Sequence, residues 1–226
     1  LDDFSVDLDA LKNAAAAILL ANPNAPTGRA LTRDDIAALA DSNRDRLVVI
    51  DEAYFGFGAE TAVPLVAGHD NLIVTRSLSK SHALAGMRVG YAVAQADLIE
   101  GLNRVKDSFN SYPLDAIAQA AATAAIEDHH RVEEASQSVR DVREAMGASL
   151  EALGFEVLPS QANFIFTQHN TLAGRQIFGA LRARDILVRR WDKPRIENWL
   201  RISVGTMAQA EQLLVVMREI VSTGTG

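Results

Sequence analysis

Cysteine is missing altogether, which excludes disulfides and thiolate metal ligands and leaves the redox compartment open. Positive charge is short as well. The 22 Lys and Arg against 29 Asp and Glu give a net charge of -7, the opposite of what a nucleic-acid backbone attracts. No apolar run approaches the roughly 20 residues that span a bilayer, and no basic-then-apolar leader opens the chain. A membrane partner is therefore not expected, and the cytoplasm is the default location. The chain starts without Met, at Leu1-Asp2-Asp3-Phe4, and reads as sequence from the middle of a longer protein. The rest is ordinary for a folded protein: 226 residues, 48% hydrophobic and 23% charged, enough for one large domain or two small ones.

In the first half, short apolar runs each end in a dense polar motif. Ile18-Leu19-Leu20 leads into Asn22-Pro23-Asn24-Ala25-Pro26-Thr27-Gly28, Leu47-Val48-Val49-Ile50 into Asp51-Glu52-Ala53-Tyr54, and Leu72-Ile73-Val74 into Ser77-Leu78-Ser79-Lys80. Runs without alternation suit parallel strands buried on both faces. Ligands of open α/β sheets collect beyond the carboxyl ends of such strands, so the three motifs are expected to face one crevice. Thr32, with Asp35 three positions on, starts a helix whose stripe is Ile36, Leu39 and Ala40. Residues 88–93 read as a further strand and 98–106 as a helix. An Ala-rich helix over 114–128 precedes a long one striped by Val132, Val139, Val142, Met146 and Leu150, which stops at Gly154. Strands over 164–167, 186–189 and 200–204 and helices over 172–184 and 208–221 make a smaller α/β unit. The expected division is 1–112 and 113–226.

Lys80 follows an apolar strand between serines, where a lysine is unusual. Burial would lower its pKa enough to make the amine nucleophilic towards an aldehyde; a solvated loop lysine is the plainer alternative. The hydroxyls of Ser77 and Ser79, the turn amides and the fork of Arg88 could hold a phosphate dianion. Asp51 ends a strand on a carboxylate, which a ring N–H would compensate, unless it caps the next segment. Tyr54 could donate to a phenolic oxygen or be a core aromatic. Pro26 is a candidate for a cis bond, although trans is commoner at turns. Arg201 within an apolar strand would pair with a substrate carboxylate or with a structural Asp or Glu. Arg189 and Arg190 close the neighbouring strand and, as adjacent charges, suit a solvated edge better than a substrate contact. Lys80, Asp51 and the hydroxyl pair together read as a site for pyridoxal phosphate (PLP), with Lys80 in a Schiff base to it.

These segments, with Leu84–Tyr91, Ala162-Asn163-Phe164 and Leu200–Gly205, resemble the fold-type I, class I/II PLP-dependent aminotransferases, nearest the histidinol-phosphate branch. They run in the family's order through nearly the whole chain. The resemblance implies an α/β fold: the PLP-dependent transferase fold type I, with a mostly parallel large domain, here partial, and a smaller α/β C-terminal domain. It implies transamination of histidinol phosphate with 2-oxoglutarate in histidine biosynthesis, and a homodimer. Lys80 would be the Schiff-base lysine and move the proton between Cα and C4′. Asp51 would hold the pyridinium nitrogen, Tyr54 the phenolic oxygen, and Ser77, Ser79 and Arg88 the cofactor phosphate. Arg201 would take the α-carboxylate and Arg189 a substrate phosphate. The family carries Asn where this chain has Ala25, so Asn24, or else Asn22, is the expected substitute. More than a hundred further N-terminal residues are usual in the family, including a Gly-rich phosphate loop and a ring-stacking aromatic. Threonine-phosphate decarboxylases, aromatic aminotransferases and aminotransferase-like effector domains of transcription regulators share the motifs.

Overall fold

The three apolar runs pair as parallel strands in the computed structural model, which describes residues 1–224. Strands β1 (Ile18–Ala21), β2 (Val48–Asp51) and β3 (Leu72–Ser77) lie side by side in that order. Their register aligns Ala21 with Asp51 and Asp51 with Thr75, so the three carboxyl ends stand level. Strand β4 (Gly90–Val93) adds to β3 antiparallel. Helix α1 (Leu8–Lys12), helix α2 (Arg33–Ser42) and a 3-10 turn at Val63–Gly68 supply the cover for one sheet face, where Ile18, Ile50, Leu72 and Val74 are buried with Ile36 and Leu39. The expectation of burial on both faces holds for β3 but not for β1. Leu72, Ile73 and Val74 are all buried between β2 and β4, whereas Leu19 on edge strand β1 is 73% exposed.

Three helices follow: α3 (Ala96–Phe109), α4 (Ala116–Glu127) and α5 (His129–Ala152). Ala118 and Ala122 of α4 pack on Leu78 and Val89 of the first sheet's connections. On α5 the expected stripe divides. Val142, Met146 and Leu150 enter the core of the second unit, while Val132 and Val139 stay half-buried. Gly154 follows the helix at φ +83°, the left-handed turn that a helix C-terminus assigns to glycine.

The second sheet is antiparallel throughout, in the order β5-β6-β8-β7, from β5 (Phe155–Val157), β6 (Phe164–His169), β7 (Arg189–Arg190) and β8 (Leu200–Ser203). Helices α6 (Gly174–Arg182) and α7 (Met207–Gly224) bury Ile177, Leu181 and Leu213 against it. Strand β5 escapes detection in the sequence because three residues carry no period; pairing with β6 creates it. The strand expected over 186–189 is a correction. The chain leaves α6 through Asp185 at φ +59°, Leu187 is 79% exposed, and ladder pairing begins only where Arg189 meets Arg201. No helix among the described residues is long and apolar enough to cross a membrane.

The predicted start of α2 is present in full. Thr32 accepts from the Asp35 amide at 3.1 Å, and the Asp35 carboxylate accepts from the Thr32 amide at 3.0 Å. Two otherwise unpaired donors are satisfied by one pair of side chains. Thr32→Ala should therefore lower unfolding stability by about 1 kcal/mol, read as a shift in the urea midpoint at unchanged slope.

Candidate active site

The level carboxyl ends of β1–β3 place the three motifs along one edge. Asp51, the last residue of β2, is half-buried. Its Oδ1 accepts from the Ala53 amide (3.1 Å) and the Thr75 hydroxyl (3.3 Å). No cation among the described residues forms an ion pair with this carboxylate. Six residues after Val74, Lys80 sits in the turn beyond β3. The expected buried lysine is corrected: its side chain is exposed, because the chain has already left the sheet at Ser77. Its Nζ makes no hydrogen bond or ion pair among the described residues and lies 5.9 Å from the centre of the Tyr54 ring.

Next to it, the Ser79 amide donates to Ser77 Oγ at 3.1 Å, which closes a small turn with both hydroxyls on it. The antiparallel ladder continues past Ser77–Gly90 through a bond from the Leu78 amide to Val89 O (3.1 Å), bringing Arg88 opposite that turn. Arg88 is exposed at φ +56°, and one of its nitrogens donates to Ala85 O at 2.9 Å. Burial and, behind it, the Arg76 charge lower the pKa of His82 from its ordinary 6.5. The ring beside the lysine turn is thus neutral at pH 7 and adds no second cation.

The Asn22–Gly28 turn holds two cis peptide bonds, before Pro23 and before Pro26, where the sequence suggested only the latter. Asn22 is spent within its own loop: its Oδ1 accepts from the Leu31 amide at 2.6 Å. Asn24 Oδ1 accepts from the Thr27 hydroxyl at 2.9 Å, so of the amide groups of Asn22 and Asn24 only Asn24 Nδ2 is left without a partner among the described residues. Gly28, at φ +78°, gives its carbonyl to the Gln161 amide at 2.8 Å, and a Cβ there would collide with the Ser160 side chain. This close approach fastens the first turn to the second unit.

From the second unit, Phe164 meets Tyr54 edge to face, with ring centres 5.1 Å apart. The Arg201 guanidinium lies 5.1 Å from the Phe164 ring and 5.7 Å from that of Trp191. Half-buried, it has no ion pair or hydrogen bond among the described residues, so the salt bridge considered as the plainer alternative is not formed. Arg189 and Arg190 part company. Arg190 is committed to Glu197 O (2.7 Å) and Asp192 (2.8 Å), whereas Arg189, on the Arg201 side of the ladder, lies 5.4 Å from Trp191 with no acceptor among the described residues. Lys80, Tyr54, Phe164 and Arg201 thus form one continuous path across both units.

The sequence motifs gave Phe164 and Trp191 no role in the site, and gave Glu52 none beyond its place in the Asp51–Tyr54 segment. Glu52 is 2% exposed. It accepts from the Ala62 amide (2.6 Å) and from Arg76 Nε (2.9 Å), with Arg76 Nη2 at 2.9 Å as ion-pair partner. The Arg76 guanidinium stacks 3.6 Å over the Phe55 ring. Adjacent carboxylates at a strand end, with an Arg one strand away, were the available signal.

The sequence profile of aminotransferase class I and II matches residues 1–217. The chain belongs to that family. It is 55% identical over 216 residues to histidinol-phosphate aminotransferase 1 of Bradyrhizobium diazoefficiens, covering 96% of this chain and 62% of the relative. With histidinol-phosphate aminotransferase 1 of Bordetella parapertussis it shares 50% over 225 residues, covering 98% and 63%. The crystal structure of histidinol-phosphate aminotransferase from Sinorhizobium meliloti in complex with PLP superimposes with a TM-score of 0.87 at 26% identity, over 99% of this chain and 63% of that one. The chain thus spans about 62% of the length of curated relatives that it matches.

An aldehyde, a ring nitrogen and a phosphate call for an amine, a carboxylate and hydroxyl or guanidinium donors. The Lys80 amine and the Asp51 carboxylate, both without an ion-pair partner among the described residues, and the Ser77–Ser79 turn with Arg88 opposite have that chemistry, so the donor set of this class I and II aminotransferase chain fits PLP. The buried pair beneath it is a stability element. Glu52→Ala leaves the Arg76 charge uncompensated and should lower unfolding stability by about 3–5 kcal/mol, measured by urea denaturation.

Proposed function

We propose that this chain is the cofactor-bearing part of a PLP-dependent aminotransferase that transfers the amino group between histidinol phosphate and 2-oxoglutarate, a step of histidine biosynthesis. The observation that carries the proposal is the pairing of two uncommitted cations along one aromatic path. The Lys80 amine stands 5.9 Å from Tyr54, and the Arg201 guanidinium rests on Phe164. The identity of 55% to a protein named for this substrate supports the choice.

When bound, PLP supplies an electron sink for the charge that develops at the substrate's Cα. Lys80 would hold it through Nζ, and the same amine would take and return the proton at the substrate's Cα. Asp51 would stand against the ring nitrogen and keep it protonated, with Thr75 and the Ala53 amide fixing the orientation of the carboxylate. Tyr54 would donate to the phenolic oxygen, and the Asn24 amide is the group left to assist where Ala25 offers none. Ser77, Ser79 and Arg88 would bind the phosphate. Arg201 receives the carboxylate of 2-oxoglutarate; its planar fork suits two oxygens at once. Arg189 takes the phosphate of the amino donor. A homodimer belongs to the same proposal, supported by exposed apolar side chains on α3, α4 and the link between them: Phe109 (79%), Tyr112 (92%) and Ile117 (73%). So does a cytoplasmic location.

A coupled assay with histidinol phosphate and 2-oxoglutarate tests the reading. Turnover is expected, with Lys80→Ala abolishing it and Arg201→Lys raising the KM for 2-oxoglutarate roughly 10- to 100-fold, the worth of charged hydrogen bonds lost. Turnover of threonine phosphate or of aromatic amino acids in place of histidinol phosphate would overturn the substrate assignment.

A further inference from the structure

Helix α5 crosses between the two units, and two arginines on one of its faces reach the loop that follows Tyr54. Arg140 Nη1 donates to Gly56 O at 2.8 Å. Arg143, three residues on, makes a different connection. Its Nη1 donates both to Phe57 O (2.7 Å), in the first unit, and to Ala162 O (2.8 Å), in the second. Phe57 is three residues beyond Tyr54 and Ala162 two before Phe164. The two carbonyls therefore flank the 5.1 Å ring contact that joins the halves of the site.

Arg143 has no carboxylate in an ion pair with it among the described residues. Burial lowers its pKa from the ordinary guanidinium value; the Arg140 charge works the same way and Glu144 opposes it. A partly buried cation satisfied by neutral carbonyls is a costly fastening where a neutral donor would do. Its geometric consequence is specific: both acceptors must stay within hydrogen-bond reach of one nitrogen. The remaining links between the turns do not duplicate it. The Gln161 amide binds Gly28 O, in a different loop, and Arg140 touches the first unit only.

We propose that Arg143 is a positioning residue that sets the spacing between the Lys80–Tyr54 half of the site and the Arg201 half, so that a substrate held at both ends meets both together. The substrate consequence rests on the aminotransferase reading; the spacing itself does not. Cofactor uptake draws on Lys80, Asp51, Ser77, Ser79 and Arg88, all in the first unit, and is independent of the clamp.

Hydrogen–deuterium exchange on the whole protein and its Arg143→Met, Arg143→Lys and Arg140→Met variants tests the spacing. In Arg143→Met, the hydrogen-bonded amides of Phe55, Gln161 and Ala162 should exchange about tenfold faster together, the worth of one charged hydrogen bond, while β1–β3 and α7 keep their protection. Arg143→Lys should restore protection, since one nitrogen suffices for both bonds. Arg140→Met should loosen Phe55 alone. Faster exchange in only one of the two loops of Arg143→Met, or equally throughout the protein, overturns the proposal. In the assay, Arg143→Met should raise the KM for 2-oxoglutarate, whose carboxylate Arg201 receives, roughly tenfold, with a smaller change in kcat and unaltered PLP uptake. Loosened loops with an unchanged KM would refute the positioning role. A parent protein that turns over no amino donor would refute the functional reading instead, and exchange would still decide the spacing.

Discussion

The level register of β1, β2 and β3 is the constraint on which the site depends. Because Ala21, Asp51 and Thr75 are aligned across three strands, the Asn22–Gly28 turn, the Asp51–Tyr54 segment and the Ser77–Lys80 turn emerge at one height. A slip of one residue in any strand would turn its polar end to the opposite face and its apolar residues away from Ile36 and Leu39. The core that buries Ile18, Ile50 and Val74 thus fixes the site as a by-product of its own packing.

Charges in and around the site fall into two kinds, and the difference is informative. Glu52 and Arg76 satisfy each other under the Phe55 ring, with Thr61 and the Ala62 amide completing the set. They hold the loop in shape. Asp51, Lys80, Arg189 and Arg201 stand without counter-ions among the described residues, although oppositely charged partners abound in a chain of 29 acidic and 22 basic residues. Uncommitted charges of both signs, converging from two units, are what a ligand bearing a cationic ring nitrogen, a phosphate and a carboxylate would require.

Much of this was legible in the sequence, for identifiable reasons. Strong local signals survived folding. The Thr32–Asp35 box, the Gly154 stop, the stripe at Ile36, Leu39 and Ala40, and the three motif-terminated runs all stand where their spacing puts them. What the sequence left open, and the one strand it misplaced, depended on partners distant in the chain. β4 runs antiparallel because the segment after Lys80 folds back on β3. β5 exists only through its pairing with β6. Leu187 lies outside the ladder because Asp185 turns the chain away first. In the site, residue types announced Lys80, Asp51 and Arg201, but nothing local distinguishes Phe164 or Trp191 from core aromatics. Their place between Tyr54 and Arg201 follows from how the second sheet meets the first. Arg190 shows the converse: identical in type to Arg189, it is bound to Asp192 and Glu197 O by the loop it borders.

The central claim is that Lys80 carries the cofactor, and covalent capture tests it most directly. The protein is incubated with PLP, reduced with borohydride, digested and mapped by mass spectrometry. The account predicts one modified lysine, Lys80, and its loss in Asp51→Ala protein through weaker uptake. Modification of Lys12, Lys106 or Lys193 in its place, or of no lysine at all, would contradict it.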